Sequence, residues 1–239
     1  MKTLIIIPSR LAATRLPGKP LLKINGLSII SHVFKKAEKA KIGDVLVATE
    51  NQEIVDDVKK NGGEAVLTSN KHNTGTDRIY EALQKTKISN IDLVMNLQGD
   101  EPLIDVNDIR NLNQLMMDTN SKIGTLASKI LDKKFYDNQS VVKVKTKEEL
   151  DHKNFPEAIY FKRKTQKKDL NIYHHMGIYC YEMETLKDFV SYKQSPNEAK
   201  YKLEQLRALE NKIKINVALA KSHSIGIDTK EDFVAIKKI

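Results

Sequence analysis

The sequence has one cysteine, Cys180, and no tryptophan. A single thiol excludes an internal disulfide framework and a cysteine-rich metal site. It points instead to a reducing cytoplasm, with Cys180 as a small buried residue. No apolar run approaches the roughly 18 residues of a membrane helix, so no membrane span is expected. A secretory leader is not expected either: Lys2 precedes a short strand-like run that Arg10 interrupts, with no small-residue cleavage site. Arginine is also scarce. Of the 40 Lys and Arg residues only six are Arg: Arg10, Arg15, Arg78, Arg110, Arg163 and Arg207. The lysines are spread along the chain as on solvated faces, so the net charge of +9 argues weakly for nucleic acid. A basic nucleic-acid-binding module remains the reading from a different function class. Where this chain usually places Lys, an Arg suggests a need for a planar, bidentate donor.

What is present is an ordinary folded composition. The 239 residues are 40% hydrophobic and 30% charged, ample for a substantial core. Leu4 to Ile7 is an apolar, β-branched run that reads as a buried strand, ended by Pro8. Helical stripes follow over Leu27–Lys41, Asn51–Asn61, Thr76–Lys85 and Asp105–Met117. Thr76 or Asp77 caps the third. Strand-like runs lie between them at Val45–Ala48, Ala65–Leu67 and Asp92–Leu97. This alternation predicts an α/β fold, a doubly wound and mostly parallel sheet. Ligands then bind outside the carboxyl ends of the strands.

The second half reads as strands at Ile123–Ile130, Val141–Lys145, Ala158–Phe161, Met176–Tyr181 and Ile213–Ala220. Helices are expected over Met183–Tyr192, Lys202–Asn211 and Lys230–Lys238, and Lys162–Asn171 is a charged connection. With no repeat, low-complexity tract or linker, one domain over residues 1–239 with an antiparallel elaboration is expected.

Four motifs carry chemistry. After the first strand, Arg10, Arg15 and Lys19 converge on a loop shaped by Pro17, Gly18 and Pro20. Cations on a stiffened loop after a strand suit a polyphosphate. A Walker A loop is excluded, because Ala13 and Pro20 stand where Gly and Ser or Thr are needed. In Asn73-Thr-Gly-Thr-Asp-Arg78, Gly75 permits close backbone approach. A helix N-terminus beside Arg78 suits an anion or a base edge, or is an ordinary cap with a surface Arg. In Leu97-Gln-Gly-Asp-Glu-Pro102, Asp100 lies at a strand's carboxyl end, placed to hold a hard cation through oxygen. In Gly226-Ile-Asp-Thr229, Asp228 reads as a helix cap with Glu231 completing a capping box, or as a metal ligand with Asp100 as its partner. Whether the two converge is left open. His174 and His175 point to opposite faces of a strand and do not read as a metal pair.

These motifs, in this order with His175-Met-Gly-Ile-Tyr-Cys-Tyr and Leu203-Glu-Gln-Leu-Arg, resemble the sugar-acid cytidylyltransferases. The last two segments are similar to the branch acting on 3-deoxy-D-manno-octulosonate (Kdo). The resemblance runs from about residue 2 to 236. It implies a Rossmann-like nucleotidyltransferase fold, CTP and Kdo as substrates, CMP-Kdo and pyrophosphate as products, and a place in lipopolysaccharide biosynthesis. It also implies Mg²⁺ on Asp100 and Asp228, and a homodimer through residues 140–182. Arg10, Arg15 and Lys19 would hold the CTP phosphates, with Lys19, Asp100 and Arg15 catalytic. Thr74, Gly75 and Arg78 would sit at the cytidine. Gln98, Arg163, His175, Tyr179, Glu204 and Gln205 would line the sugar-acid pocket, with Arg163 facing the carboxylate. The family usually has Ala at Ser9, Ser at Thr74, and a Pro-containing stretch where this chain has Lys164–Asp169. An amino-Kdo or a sialic acid is the neighbouring substrate reading.

Overall fold

The computed structural model describes every residue except 13–14, 73, 133, 166–168, 222–225 and 238–239. The chain divides into two compact units, Met1–Ile109 with Ser224–Ile239, and Arg110–His223.

In the first unit, β1 is Thr3–Ser9. A 3₁₀ turn at Lys19–Leu21 leads to a small hairpin of β2 (Lys23–Ile24) and β3 (Leu27–Ser28). There follow α1 (Ile29–Ala40), β4 (Gly43–Thr49), α2 (Gln52–Lys60), β5 (Ala65–Leu67), α3 (Gly75–Lys85) and β6 (Leu93–Asn96), and α4 (Val106–Thr119) starts here and runs on into the second unit from Arg110. The strands lie in the order β6-β1-β4-β5 and all pair in parallel, as the alternating pattern predicts. Leu4, Ile5, Ile6 and Ile7 of β1 are fully buried, as befits a parallel strand flanked on both sides. The chain leaves β1 toward β4 and later returns on the opposite side as β6. The topological switch point is therefore the gap between the carboxyl ends of β1 and β6.

Pro8 does not end the first strand, which continues to Ser9 with Pro8 opposite Ala48. The ladder to β6 stops at Ile6, whose carbonyl still accepts from the Leu97 amide at 3.2 Å. Two residues on, the Pro8 nitrogen faces that same side, where no partner needs a hydrogen. The cap of α3 also differs from expectation. Thr74 caps it, its Oγ1 accepting from the Asp77 amide at 3.2 Å.

The second unit holds β7 (Ile123–Ser128), α5 (Lys134–Asp137), β8 (Lys143–Thr146), β9 (Ala158–Lys162), β10 (Ile172–Glu182), α6 (Met183–Ser191), α7 (Pro196–Tyr201), α8 (Gln205–Glu210) and β11 (Ile215–Leu219). Here β11 is parallel to β7, while β7–β10, β10–β8 and β8–β9 are antiparallel. This is the expected antiparallel elaboration. The helix expected over Lys202–Asn211 starts only at Gln205, because Lys202 caps α7 in a left-handed conformation with φ of 52°. An unexpected α7 precedes it. Pro196 lies in its first turn, and Ser195 and Glu198 form a capping box. The final helix, α9 (Lys230–Ile236), returns the chain to the first unit. Its cap is Thr229 with Asp232 reciprocating, rather than Asp228 with Glu231. The expected end of this helix at Lys238 lies outside the described residues.

The Glu198 carboxylate, 2% exposed, also accepts from Arg207 Nε at 2.8 Å and Nη2 at 2.6 Å. Phe189 covers the guanidinium at 4.7 Å. Replacing only one member of a buried pair leaves an uncompensated charge. Arg207→Leu is expected to cost about 3–5 kcal/mol in urea denaturation. A loss within experimental error would show that the pair holds nothing together.

Candidate active site

The loop after β1 is tied at both ends. The Leu11 amide donates to Asn51 Oδ1 at 3.0 Å, and the Gly18 amide donates back to the Leu11 carbonyl at 3.3 Å. Gly18 sits at φ of 68°, where a side chain would strain the backbone, and Pro20 lies within the 3₁₀ turn that follows. Beneath, Ile24, Ile29 and Ile227 form a buried apolar cluster joined by Leu16, Leu22, Phe233 and Ile236. That cluster anchors the opening loop and the C-terminal segment together.

The turn after β6 supplies the acidic partner. A Cβ on Gly99 would come within 3.0 Å of the Pro8 carbonyl oxygen, so glycine lets this turn lie against the end of β1. Asp100 follows it. Its carbonyl accepts from the Ile227 amide at 2.9 Å, which brings Asp228 alongside. The two carboxylates therefore converge, the point that sequence leaves open. Lys19 Nζ lies 2.6 Å from Asp100 Oδ2 and 3.4 Å from Asp228 Oδ1. Arg15 Nη2 approaches Asp228 Oδ2 at 3.0 Å. The Lys19 side chain is only 13% exposed, whereas the Arg15–Asp228 pair is open to solvent.

These groups line a cleft of about 390 Å³ at the β1/β6 switch point. Arg10, Arg15 and Lys19 enter it from the opening loop, Thr74, Gly75 and Arg78 from the start of α3, and Gln98, Asp100 and Asp228 from the two acidic segments. Nine residues singled out from sequence thus share one cleft in the first unit. Asn73 and the loop residues Ala13 and Thr14 lie outside the described residues.

Arg78 is not a surface cation. Its guanidinium donates to Thr68 Oγ1 at 2.7 Å and the Ser69 carbonyl at 3.3 Å, and pairs with Glu50. It is 4% exposed. Glu50, which neutralises it, went unnoticed in sequence, as did His72, a further cleft residue paired with Glu81. The signal would have been its place just before the Thr-Gly-Thr-Asp-Arg turn.

No cluster of three or more His, Cys, Asp or Glu is present among the described residues. Asp100 and Asp228 already share one cation, the Lys19 ammonium. Two carboxylates completed by phosphate oxygens and water form a donor set suited to a hard divalent ion.

The remaining residues belong to the second unit. His175 is buried against Phe161, ring centroids 4.9 Å apart, and 5.4 Å from the Tyr179 ring. Its Nε2 meets Thr125 Oγ1 at 3.0 Å. That hydroxyl also donates to the Ile178 carbonyl at 2.6 Å, in a bulge between Met176 and Tyr179. Burial, with contributions from Tyr181 and Glu204, raises the Tyr179 phenol well above its ordinary pKa. Its hydroxyl has no hydrogen-bond partner among the described residues. Gln205 is buried at the start of α8. Arg163 donates through Nε, Nη1 and Nη2 to the carbonyls of Tyr201, Gln139 and Lys202, at 3.2, 3.1 and 3.2 Å. His174 stacks on Phe135, and Cys180 is fully buried.

The family described as cytidylyltransferase matches residues 4–215. The 3-deoxy-manno-octulosonate cytidylyltransferase of Rhodopseudomonas palustris is 43% identical over 240 residues, covering 100% of this chain and 97% of the relative. That of Thermodesulfovibrio yellowstonii is 42% identical over 255 residues, covering 100% and 98%. A solved structure of CMP:2-keto-3-deoxy-manno-octonic acid synthetase complexed with CTP is similar with a TM-score of 0.90 at 32% identity, covering 100% and 98%.

Burial, aided by His174, pushes His175 down to about 3. In the unfolded chain the ring takes a proton near roughly 6.5. The stability tied to the neutral ring is therefore complete above that pH and is lost as pH falls toward 3. Between pH 7 and pH 4.5, urea denaturation should show the protein losing more stability than His175→Gln, at up to about 1.4 kcal/mol per pH unit below 6.5. Equal losses would refute the buried neutral imidazole.

Proposed function

The chain belongs to the cytidylyltransferase family, and from that premise we propose that it activates 3-deoxy-D-manno-octulosonate with CTP. The anomeric hydroxyl oxygen bonds to the α-phosphorus, the bond from that phosphorus to the pyrophosphate oxygen breaks, and the hydroxyl proton is released. The products are CMP-Kdo and pyrophosphate. The carrying observation is that Asp100, Asp228 and Lys19 meet at the β1/β6 switch point beneath a cationic loop.

Transfer at phosphorus needs positioning and charge stabilisation more than covalent chemistry from the protein. Arg10, Arg15 and Lys19 hold the triphosphate, and Arg15 and Lys19 stabilise the leaving pyrophosphate. Thr74, Gly75 and Arg78 hold the cytidine. Asp100 and Asp228 would hold Mg²⁺, which when bound would neutralise phosphate charge as a Lewis acid. In this reading Lys19 exchanges partners. It leaves the two carboxylates for the phosphate oxygens when nucleotide arrives, and the carboxylates become free to hold the metal.

Gln98, Arg163, His175, Tyr179, Glu204 and Gln205 are assigned to the sugar acid. With His175 neutral, His175 and Tyr179 offer uncharged hydrogen-bonding groups suited to hydroxyls, and Arg163 is the cation for the carboxylate. The protein is read as a cytoplasmic homodimer paired through residues 140–182 and supplying lipopolysaccharide biosynthesis. No described helix is long and apolar enough to cross a membrane.

Incubation with CTP, Mg²⁺ and a panel of sugar acids tests the reaction. Pyrophosphate release with Kdo is expected. Release only with an amino-Kdo or a sialic acid would move the assignment to that acid, and salt-sensitive DNA binding without release would overturn it. Asp100→Asn should nearly abolish turnover with an unchanged circular dichroism spectrum; near-normal turnover would sink the metal-ligand role. Lys19→Ala should lose about 3 kcal/mol of transition-state stabilisation. The same variant should bind Mn²⁺ more tightly than the parent in the absence of nucleotide, read by electron paramagnetic resonance. Weaker nucleotide-free Mn²⁺ binding would refute the exchange of partners.

A further inference from the structure

One side chain in the cleft wall has no role in the reading above. His72 lies between β5 and α3 and lines the cleft with Thr74, Gly75 and Arg78. Its Nε2 meets the Glu81 carboxylate. Glu81 stands on α3 and also accepts from the Ser69 amide at 3.1 Å on Oε1 and 2.9 Å on Oε2, and from Lys85 at 2.5 Å. Burial alone would raise its pKa. Hydrogen bonds from Lys85, His72 and the Ser69 amide outweigh that and hold it down at about 2. An ionised carboxylate only accepts, so Nε2 carries the proton in this contact. Nδ1, on the other side of the ring, has no partner among the described residues. In the neutral ring it is a lone pair.

The charge of this wall narrows what it can meet. Arg78 is paired with Glu50, and His72 with Glu81. The Arg78 charge is balanced by Glu50 and the Glu81 charge by Lys85, so with a neutral imidazole the wall is close to neutral. Arg10, on the opening loop, has no carboxylate partner among the described residues. A neutral polar wall suits an uncharged base edge, and the loop suits phosphate.

We propose that His72 is a specificity-determining residue for the nucleotide base, its Nδ1 accepting from the exocyclic amine of cytosine, with Glu81 as the residue that positions it. This rests on the reading of the same cleft as a CTP site. Uracil carries a carbonyl oxygen where cytosine carries the amine. Two acceptors would then face each other, and discrimination follows from an unmatched polar pair.

Steady-state kinetics of the full-length protein with CTP and with UTP, at saturating Kdo, tests the idea. In His72→Gln the amide reaches the Nε2 position and keeps Glu81 but leaves nothing at Nδ1. In His72→Asn Oδ1 falls near the Nδ1 position. His72→Gln should lower kcat/KM for CTP by roughly ten- to a hundredfold, mainly through KM, and leave UTP unchanged, so the CTP/UTP ratio narrows by the same factor. His72→Asn should restore most of the ratio, and Glu81→Gln should narrow it several-fold. An unchanged ratio in His72→Gln, including equal losses with both nucleotides, would overturn the proposal and mark His72 as structural. If His72→Gln does not fold, an unchanged ratio in Glu81→Gln overturns it instead. A parent protein that turns over neither nucleotide would overturn the CTP reading itself, an outcome separate from an unchanged ratio in an active enzyme.

Discussion

The contact on which the first unit depends is the Lys19 ammonium between Asp100 and Asp228. It joins positions 81 and 209 residues apart in sequence. Two carboxylates brought this close repel each other unless a cation stands between them. The surrounding architecture answers that requirement. Gly18 and Pro20 shape the approach of Lys19, Gly99 lets the acidic turn lie against β1, and the Ile227 amide fixes Asp228 beside Asp100. The apolar cluster of Ile24, Ile29 and Ile227 holds the loop and the C-terminal segment from below. A site assembled from three remote segments is in this way kept together by one charge and one patch of core.

The first unit is largely legible in its sequence, for a physical reason. Its strands are parallel and buried, so they appear as continuous apolar runs, and helical stripes separate them. The cleft residues are legible because they cluster in short turns at strand ends. The differences there are local: Thr74 caps α3, Thr229 with Asp232 caps α9, and β1 continues through Pro8 to Ser9. The second unit is harder to read. β8 carries Lys143, fully buried, whose ammonium donates to the carbonyls of Asn138, Val141 and Arg163 at 2.7, 3.0 and 2.7 Å. A buried lysine breaks the polar-outward rule on which strand reading relies. Helix α7 was signalled by Ser195, Pro196 and Glu198, but at six residues it shows too little periodicity to stand out.

The scarcity of arginine is informative, in a modified way. Arg78 and Arg207 are deeply buried and Arg163 spreads three donors over main-chain carbonyls. Planar, multidentate donation is what these positions require, as the preference over lysine suggests. The acceptors, however, belong to the protein itself. These three arginines mark places where the chain is stitched together, and a lysine, Lys19, carries the charge between the two cleft carboxylates.

Pro8 has a consequence for the open mouth of the cleft. Past Ile6, the side of β1 that faces the switch point has no amide hydrogen at Pro8 to offer. An extended segment, from this chain or another, cannot zip along that edge beyond the point where β6 stops. The gap at the switch point is thus not bridged by backbone pairing, and no bulky guard residue is needed for that.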